Sequence, residues 1–420
     1  AMFGSIVPPS RDKLEYRSRV IPGSKVESGT MLTTAGLFAG IGGIEEGLRR
    51  AGLSCQLLCE IDPTAQTVLK HQFPGVRLAS DVRTLKSIPR VDLVTAGFPC
   101  QDLSQAGRTR GIFGRESGLV REVFRLLSSP RSRPKWLLME NVPFMLQLER
   151  GRAMDYLAAQ LEELGFDWAY RIVDARSFGL PQRRQRVVLV ASRIEDPRTV
   201  LFADDAGERL FPRRESSACG FYWTEGLRGL GWAVDAVPTL KGGSTIGIPS
   251  PPAIWLPEGG IVVPDIRDAE RLQGFTVDWT EPATHAGRRG EALRWKLVGN
   301  AVSVGLAAWV GRQLRTPSEY DDALDAGPPR ENGRRWPLAA YNVGGRRQAV
   351  DVSEWPVHDR FTPLDEFLDY PTRELSERAT AGFLRRARRG SLRFPHGFLD
   401  AVEAHLEQVR GEPDQLALAG

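Results

Sequence analysis

Val91-Asp92-Leu93-Val94-Thr95-Ala96-Gly97-Phe98-Pro99-Cys100-Gln101-Asp102-Leu103-Ser104 holds a short apolar run that stops at a glycine and a proline. Such a run reads as a buried strand, and Gly97 and Pro99 end it. In an open α/β sheet the loop after a strand lies on the carboxyl edge, where ligands bind. Cys100 is thereby delivered to that edge as a candidate nucleophile. A small buried hydrophobe is the ordinary alternative for a free thiol, so the neighbouring motifs must decide.

Outward from this stretch the rhythm repeats. Apolar runs at residues 31–38, 55–59, 136–139, 170–173 and 187–191 alternate with helical patterns at 44–51, 63–71, 118–127 and 154–164. That alternation predicts an α/β fold, a doubly wound and mostly parallel sheet with helices on both faces. From 193 to 264 glycine, proline, arginine and scattered aromatics replace it, which predicts a smaller, irregular domain. Helical character returns within 265–320. Residues 1–30 read as an extension of the 31–192 domain. Residues 321–420 read as a linker (327–345) and an Arg-rich helical extension.

Composition excludes several classes. With 420 residues and 41% hydrophobic content, no run approaches the roughly 18 apolar residues of a membrane span. The N-terminal stretch shows no leader pattern. Cys55, Cys59, Cys100 and Cys219 form no CxxC pair, which argues for a reducing, cytoplasmic compartment and against a metal site. The net charge is only +4, yet arginines cluster at 108/110/115, 183/184/186, 213/214 and 385/386/388/389. Such clusters are usually solvated faces, but beside glycine-rich loops they suit a phosphate-bearing partner.

Four constellations carry chemistry. Leu37-Phe38-Ala39-Gly40-Ile41-Gly42-Gly43 follows the first strand and opens a helix. Glycines there let a ligand approach the backbone, and a dinucleotide would fit equally. About twenty residues on, Glu60-Ile61-Asp62 supplies a carboxylate at ribose-binding spacing, and Asp81-Val82 flanks the same edge. The turn lacks both G-x-G-x-x-G and a phosphate-binding Lys-Ser/Thr pair, so an adenosine-containing ligand is favoured over a triphosphate. Met139-Glu140-Asn141-Val142 ends a strand; its carboxyl is either a solvated end or, in a closed pocket, a proton-sharing group. Gln182-Arg183-Arg184-Gln185-Arg186 is either a charged turn or a pair of guanidinium forks, Arg184 and Arg186, on one face. In Val298-Gly299-Asn300-Ala301-Val302, Asn300 is either a helix cap or a site residue.

These pieces, in this order, resemble the DNA (cytosine-5)-methyltransferase family, of the bacterial single-chain type found in restriction-modification or related phage-defence systems. The matches are F-x-G-x-G-G, the acidic strand end, P-C-Q, E-N-V, Q-R-R-x-R, the Arg267–Phe275 segment and G-N-A-V. The resemblance implies an S-adenosylmethionine-dependent, Rossmann-like domain at 31–192. It makes 193–264 the target-recognition domain and 265–320 the return of the chain to the catalytic domain. Cys100 would add to C6 of a flipped cytosine, Glu140 would hold its amine and N3, Arg186 its carbonyl, and Arg184 the flanking backbone. Phe38, Gly40, Ile41, Gly42, Gly43, Glu60, Ile61, Asp81, Val82, Pro99, Asn300 and Val302 would hold the cofactor.

Gln101, Ser104, Arg108, Arg110, Arg115, Arg213, Arg214, Thr239 and Lys241 would face double-stranded DNA. One departure stands out: the loop reads Gly114-Arg115-Glu116-Ser117-Gly118, where family members often carry an arginine just before the last glycine. The rival within this fold is a tRNA cytosine-5 methyltransferase. The Arg-rich tail has no counterpart in the family pattern; it either widens the DNA footprint or docks another defence protein. A monomer without metal is expected.

Overall fold

A computed structural model describes residues 31–98, 119–130, 132–211, 216–243, 249–286, 290–329 and 335–411. Its strands are β1 (Thr33–Leu37), β2 (Ser54–Cys59), β3 (Arg77–Ala79), β4 (Leu93–Ala96), β5 (Trp136–Asn141), β6 (Asp167–Asp174), β7 (Gln182–Arg183), β8 (Gln185–Ser192), β9 (Cys219–Phe221), β10 (Trp232–Val234), β11 (Val237–Pro238), β12 (Ala253–Trp255), β13 (Ile261–Val263), β14 (Ala339–Val343), β15 (Arg346–Ala349) and β16 (Arg373–Glu374). Its helices are α1 (Gly43–Arg50), α2 (Pro63–Gln72), α3 (Val120–Leu127), α4 (Arg152–Glu163), α5 (Arg198–Leu201), α6 (Ile266–Leu272), α7 (Gly290–Asn300), α8 (Val304–Arg315), α9 (Leu364–Phe367), α10 (Glu377–Arg389) and α11 (Phe398–Gly411).

The large sheet runs β15-β14-β6-β8-β5-β4-β1-β2-β3. The chain moves outward from β1 to β3, then returns to place β4 on the other side of β1, and β1 through β5 are parallel. That reversal between β1 and β4 is the point where open sheets bind ligands. β8 adds antiparallel to β5, and β6 adds antiparallel to β8. The connection from Asp174 to Gln185 is too short for a parallel crossover, which needs a dozen residues or more.

Helices cover both faces, so the strands are apolar throughout rather than alternating. Leu93, Trp136 and Leu138 meet Ile44 and Leu48 of α1 and Leu306 and Trp309 of α8. Val94, Leu137 and Met139 meet Phe124 of α3 and Met154 and Leu157 of α4. Val200, Leu201 and Phe202, inside the stretch expected to form the irregular domain, are buried in this larger core.

A second sheet runs β10-β9-β12-β13-β16. The C-terminal hundred residues divide between the two sheets. β14 and β15 extend the large one beside β6. The stretch 327–345, expected as a linker, therefore holds β14, because Ala339, Ala340 and Tyr341 are buried and Trp336 packs edge-on against Trp168. β16 completes the small sheet, and α10 and α11 cover it through Phe383, Leu384, Phe398, Val402 and Leu406. Among the described residues no helix is long and apolar enough to cross a membrane.

Phe398 is fully buried against Phe221 and Trp232, with ring centroids 4.9 and 5.1 Å away. Phe398→Ala is expected to cost about 3–5 kcal/mol, read as a lower urea midpoint; an unchanged midpoint would show that α11 does not hold the small sheet.

Candidate active site

Every described element of the site sits on the carboxyl edge of the parallel strands. After β1 the chain turns with positive φ at Phe38 (56°), Gly40 (56°) and Gly42 (84°), a conformation that costs glycine little. The Ala39 amide donates to the Cys59 carbonyl at the end of β2, 3.0 Å away, which ties the turn to the next strand. Gly42 and Gly43 stand behind the turn rather than at the cavity. A Cβ on Gly42 would strike the Phe73 ring, and one on Gly43 the Val302 carbonyl. Their smallness lets α1 pack.

Beneath the turn lies a cavity of about 550 Å³ lined by Phe38, Gly40, Ile41, Glu60, Ile61, Asp81, Val82, Phe98, Glu140, Asn141, Arg184, Arg186, Asn300 and Val302. The Glu60 carboxylate accepts from the amides of Gly40 (2.7 Å) and Asp62 (2.8 Å). Burial raises its pKa above the ordinary value, against those two hydrogen bonds. Ile61 stands at the mouth with its side chain exposed. Asp62 caps α2 through the Thr64 amide and pairs with Lys296 of α7 at 2.7 Å. Burial opposes its charge, but Lys296 keeps its pKa below the usual range. Asp81 is gripped by Arg83 through paired hydrogen bonds, which lower its pKa.

Glu140 and Arg186 meet where β5 ends and β8 begins. Because β8 runs antiparallel, its first residues lie beside the carboxyl end of β5. The Arg186 Nε lies 2.8 Å from the Glu140 Oε1, with both side chains about one-tenth exposed. Asn141, quoted in the motif but given no role there, has one: its Nδ2 donates to the Phe98 carbonyl at 3.3 Å. That bond anchors Phe98, two residues before Cys100 in the sequence. Pro99, Cys100, Gln101, Ser104, Arg108, Arg110, Arg115, Arg213 and Arg214 lie outside the described residues.

Arg184 lines the cavity but spends its guanidinium on backbone. It donates to the carbonyls of Leu240 (3.2 Å), Gly299 (3.4 Å) and Ala301 (2.5 Å). Gln182 and Gln273 finish the clasp. Gln182 donates to the Leu272 carbonyl and accepts from the Leu240 amide, while Gln273 donates to the Val298 carbonyl. Their signal was the glutamine inside each of two motifs. Ser303, not Asn300, is the N-terminal residue flanking α8, so Asn300 is left at the cavity. Thr239 donates to the Arg183 carbonyl at 2.8 Å; Lys241 pairs with Glu225 and lies over the Tyr222 ring. Neither Thr239 nor Lys241 lines the cavity.

A family model described as C-5 cytosine-specific DNA methylase matches residues 32–216. The chain is 48% identical over 381 residues to Type II methyltransferase M2.BsuMI of Bacillus subtilis (strain 168), covering 87% of this chain and 96% of that one. It is 28% identical over 301 residues to Type II methyltransferase M.MspI of Moraxella sp, covering 66% and 69%. Its fold is similar to the crystal structure of an S. pombe Dnmt2 methyltransferase, with TM-score 0.50, 16% identity, and coverage of 68% of this chain and 99% of that one.

Under this edge sits a buried acid. Glu45 of α1 accepts from the Thr95 hydroxyl of β4 at 2.9 Å, and its other oxygen has no hydrogen-bond partner. Burial pushes its pKa up to about 7. The unfolded carboxyl ionises near 4.5, so wild-type protein loses stability as pH rises through that window. Glu45→Gln removes the titration. Its stability relative to wild type is expected to rise by roughly 3 kcal/mol between pH 5 and pH 8, measured by chemical denaturation. A pH-independent difference would place the ionisation elsewhere.

Proposed function

Because the chain belongs to the C-5 cytosine-specific DNA methylase family, and so is a DNA cytosine-5 methyltransferase, we propose that it methylates one cytosine within a specific duplex site. Cys100 acts as transient nucleophile and S-adenosylmethionine as methyl donor. The observation that carries this reading is the Glu140–Arg186 pair, held at 2.8 Å on the cavity wall that Phe98 also lines.

The cavity fits that donor. Glu60 presents a carboxylate at the strand end for ribose hydroxyls, and Ile61 offers an apolar face for the base. Of the four carboxylates that line the cavity, Asp62, Asp81 and Glu140 are paired with Lys296, Arg83 and Arg186, which leaves Glu60, held by backbone amides, to meet the ribose hydroxyls. Phe38, Gly40, Ile41, Val82, Pro99, Asn300 and Val302 complete the set that would hold it. When bound, S-adenosylmethionine supplies an electrophilic methyl group on a sulfonium.

The chain's own residues prepare the cytosine. C6 is out of reach in a stacked duplex, so the base must be flipped, at a cost of a few kcal/mol. The Cys100 thiolate then bonds to C6 and pushes electron density onto C5, splitting one difficult substitution into two easier steps. Glu140 holds the exocyclic amine and the protonated N3, and Arg186 holds the carbonyl oxygen. Their mutual ion pair fixes both side chains before the base arrives, so little reorganisation remains. Once C5 carries the methyl group, with S-adenosylhomocysteine as the leaving product, removal of the C5 proton by a base expels the thiolate and restores the aromatic ring. Arg184 acts at one remove, bracing the backbone beneath this wall.

In the cell such a monomeric enzyme marks host DNA in a bacterial cytoplasm, in a restriction-modification or phage-defence system. The likeness to M2.BsuMI, which bears the name Type II methyltransferase, supports that role. The family match favours DNA over tRNA, and tritium transfer to each substrate compares them directly.

The decisive experiment offers the protein a duplex with 5-fluorocytosine at the methylated position, together with the methyl donor. A covalent adduct that survives denaturation is expected from wild type and absent from Cys100→Ala. Glu140→Gln and Arg186→Met should each lower kcat by about a hundred- to a thousand-fold and leave donor affinity unchanged. A Cys100→Ala protein that still methylates DNA overturns the mechanism.

A further inference from the structure

The C-terminal helix α10 carries five arginines against one glutamate. Thr380, Phe383, Leu384 and Ala387 form its buried face. At 3.6 residues per turn, Arg378, Arg385 and Arg389 fall within about 40° of one another on the opposite side, spread over about 16 Å. All three are exposed, and among the described residues none forms an ion pair. Acidic neighbours are already engaged: Glu403 pairs with Arg388, and Glu377 with Arg410. Like charges four apart on a helix repel, so the row bears a cost that a polyanion along its length would relieve.

The row does not end with the helix. A Cβ on Gly390 would strike the carbonyls of Gly226 and Leu227, so the helix end lies on the connection between β9 and β10. Arg228, exposed and without an ion pair among the described residues, is one residue from that contact. The same connection is gripped from α10 by Arg386, whose Nη2 donates to the Trp223 carbonyl (2.6 Å) and Nε to the Glu225 carbonyl (3.0 Å). The Glu225 carboxylate pairs with Lys241, and Gly242 lies against the Asn300 amide at the cavity. A continuous path of contacts therefore joins the arginine row to the site.

We propose that Arg378, Arg385, Arg389 and Arg228 form a phosphate rail that holds duplex DNA beyond the methylated base. The C-terminal segment is then part of the DNA-binding surface. The inference rests on the DNA methyltransferase reading. A span of about 16 Å matches the rise of about five nucleotides of one strand, and Ala381 and Gly382 between the arginines leave room for a backbone. Duplex DNA fits this line of exposed guanidinium groups better than an acidic protein surface, whose charges are not regularly spaced.

The test compares the full chain with an R228Q/R378Q/R385Q/R389Q variant on target duplexes of about 14 and about 40 base pairs. Melting temperature and S-adenosylmethionine binding serve as controls on folding. On the longer duplex the variant should lose about tenfold or more in affinity near 150 mM salt. The slope of log K against log salt should flatten by about two to three, with a smaller effect on the shorter duplex. Equal affinity and slope on both duplexes overturn the rail, even if the variant has lost an acidic protein partner. Failure of the underlying reading looks different: wild-type protein would then methylate no duplex at all.

Discussion

Arg184 is the interaction on which the rest of the site depends. A buried guanidinium costs much unless its donors are satisfied, and here both terminal nitrogens donate to carbonyls from two distant segments: Leu240 beside the small sheet, and Gly299 and Ala301 at the end of α7. With Gln182 and Gln273 it holds together the start of β8, the stretch after β11, the end of α6 and the α7–α8 junction. Charge-assisted bonds are the strong kind. Each of these segments supplies either a wall of the cavity or the support behind one.

A second constraint comes from strand direction. Five parallel strands collect Phe38, Glu60, Val82, Phe98 and Glu140 on one edge, but a sixth parallel strand would have delivered its own carboxyl end there. β8 runs the other way, so its beginning, not its end, meets Glu140. Arg186 reaches the site for that reason alone. Had β8 been parallel, the same arginine would lie at the far side of the sheet.

Much of this was legible in the sequence, and the reasons differ by residue. The glycine turn, Glu60 and the strand end at Glu140 could be read because local punctuation and twenty-residue spacing reflect a repeating unit. Asn300 could not be separated from a helix cap locally; the structure gives the position flanking α8 to Ser303. Arg184 and Arg186 looked equivalent by period-two spacing, yet one faces carbonyls from segments more than fifty residues away and the other faces a carboxylate. Long-range partners of that kind leave no local trace. The C-terminal strands were hidden for a related reason. β16 spans only Arg373–Glu374, too short for any periodicity, and β14 lies in a stretch whose glycines and prolines mask it.

The way β16, α10 and α11 close over the small sheet bears on how the chain can be recombined. The half built on the small sheet is assembled from two stretches of chain separated by the return helices, so its core is finished only by β16, α10 and α11. The middle segment transplanted alone would leave Phe221, Ile261 and Val263 without their cover. An exchange that keeps this core whole must therefore carry both stretches together.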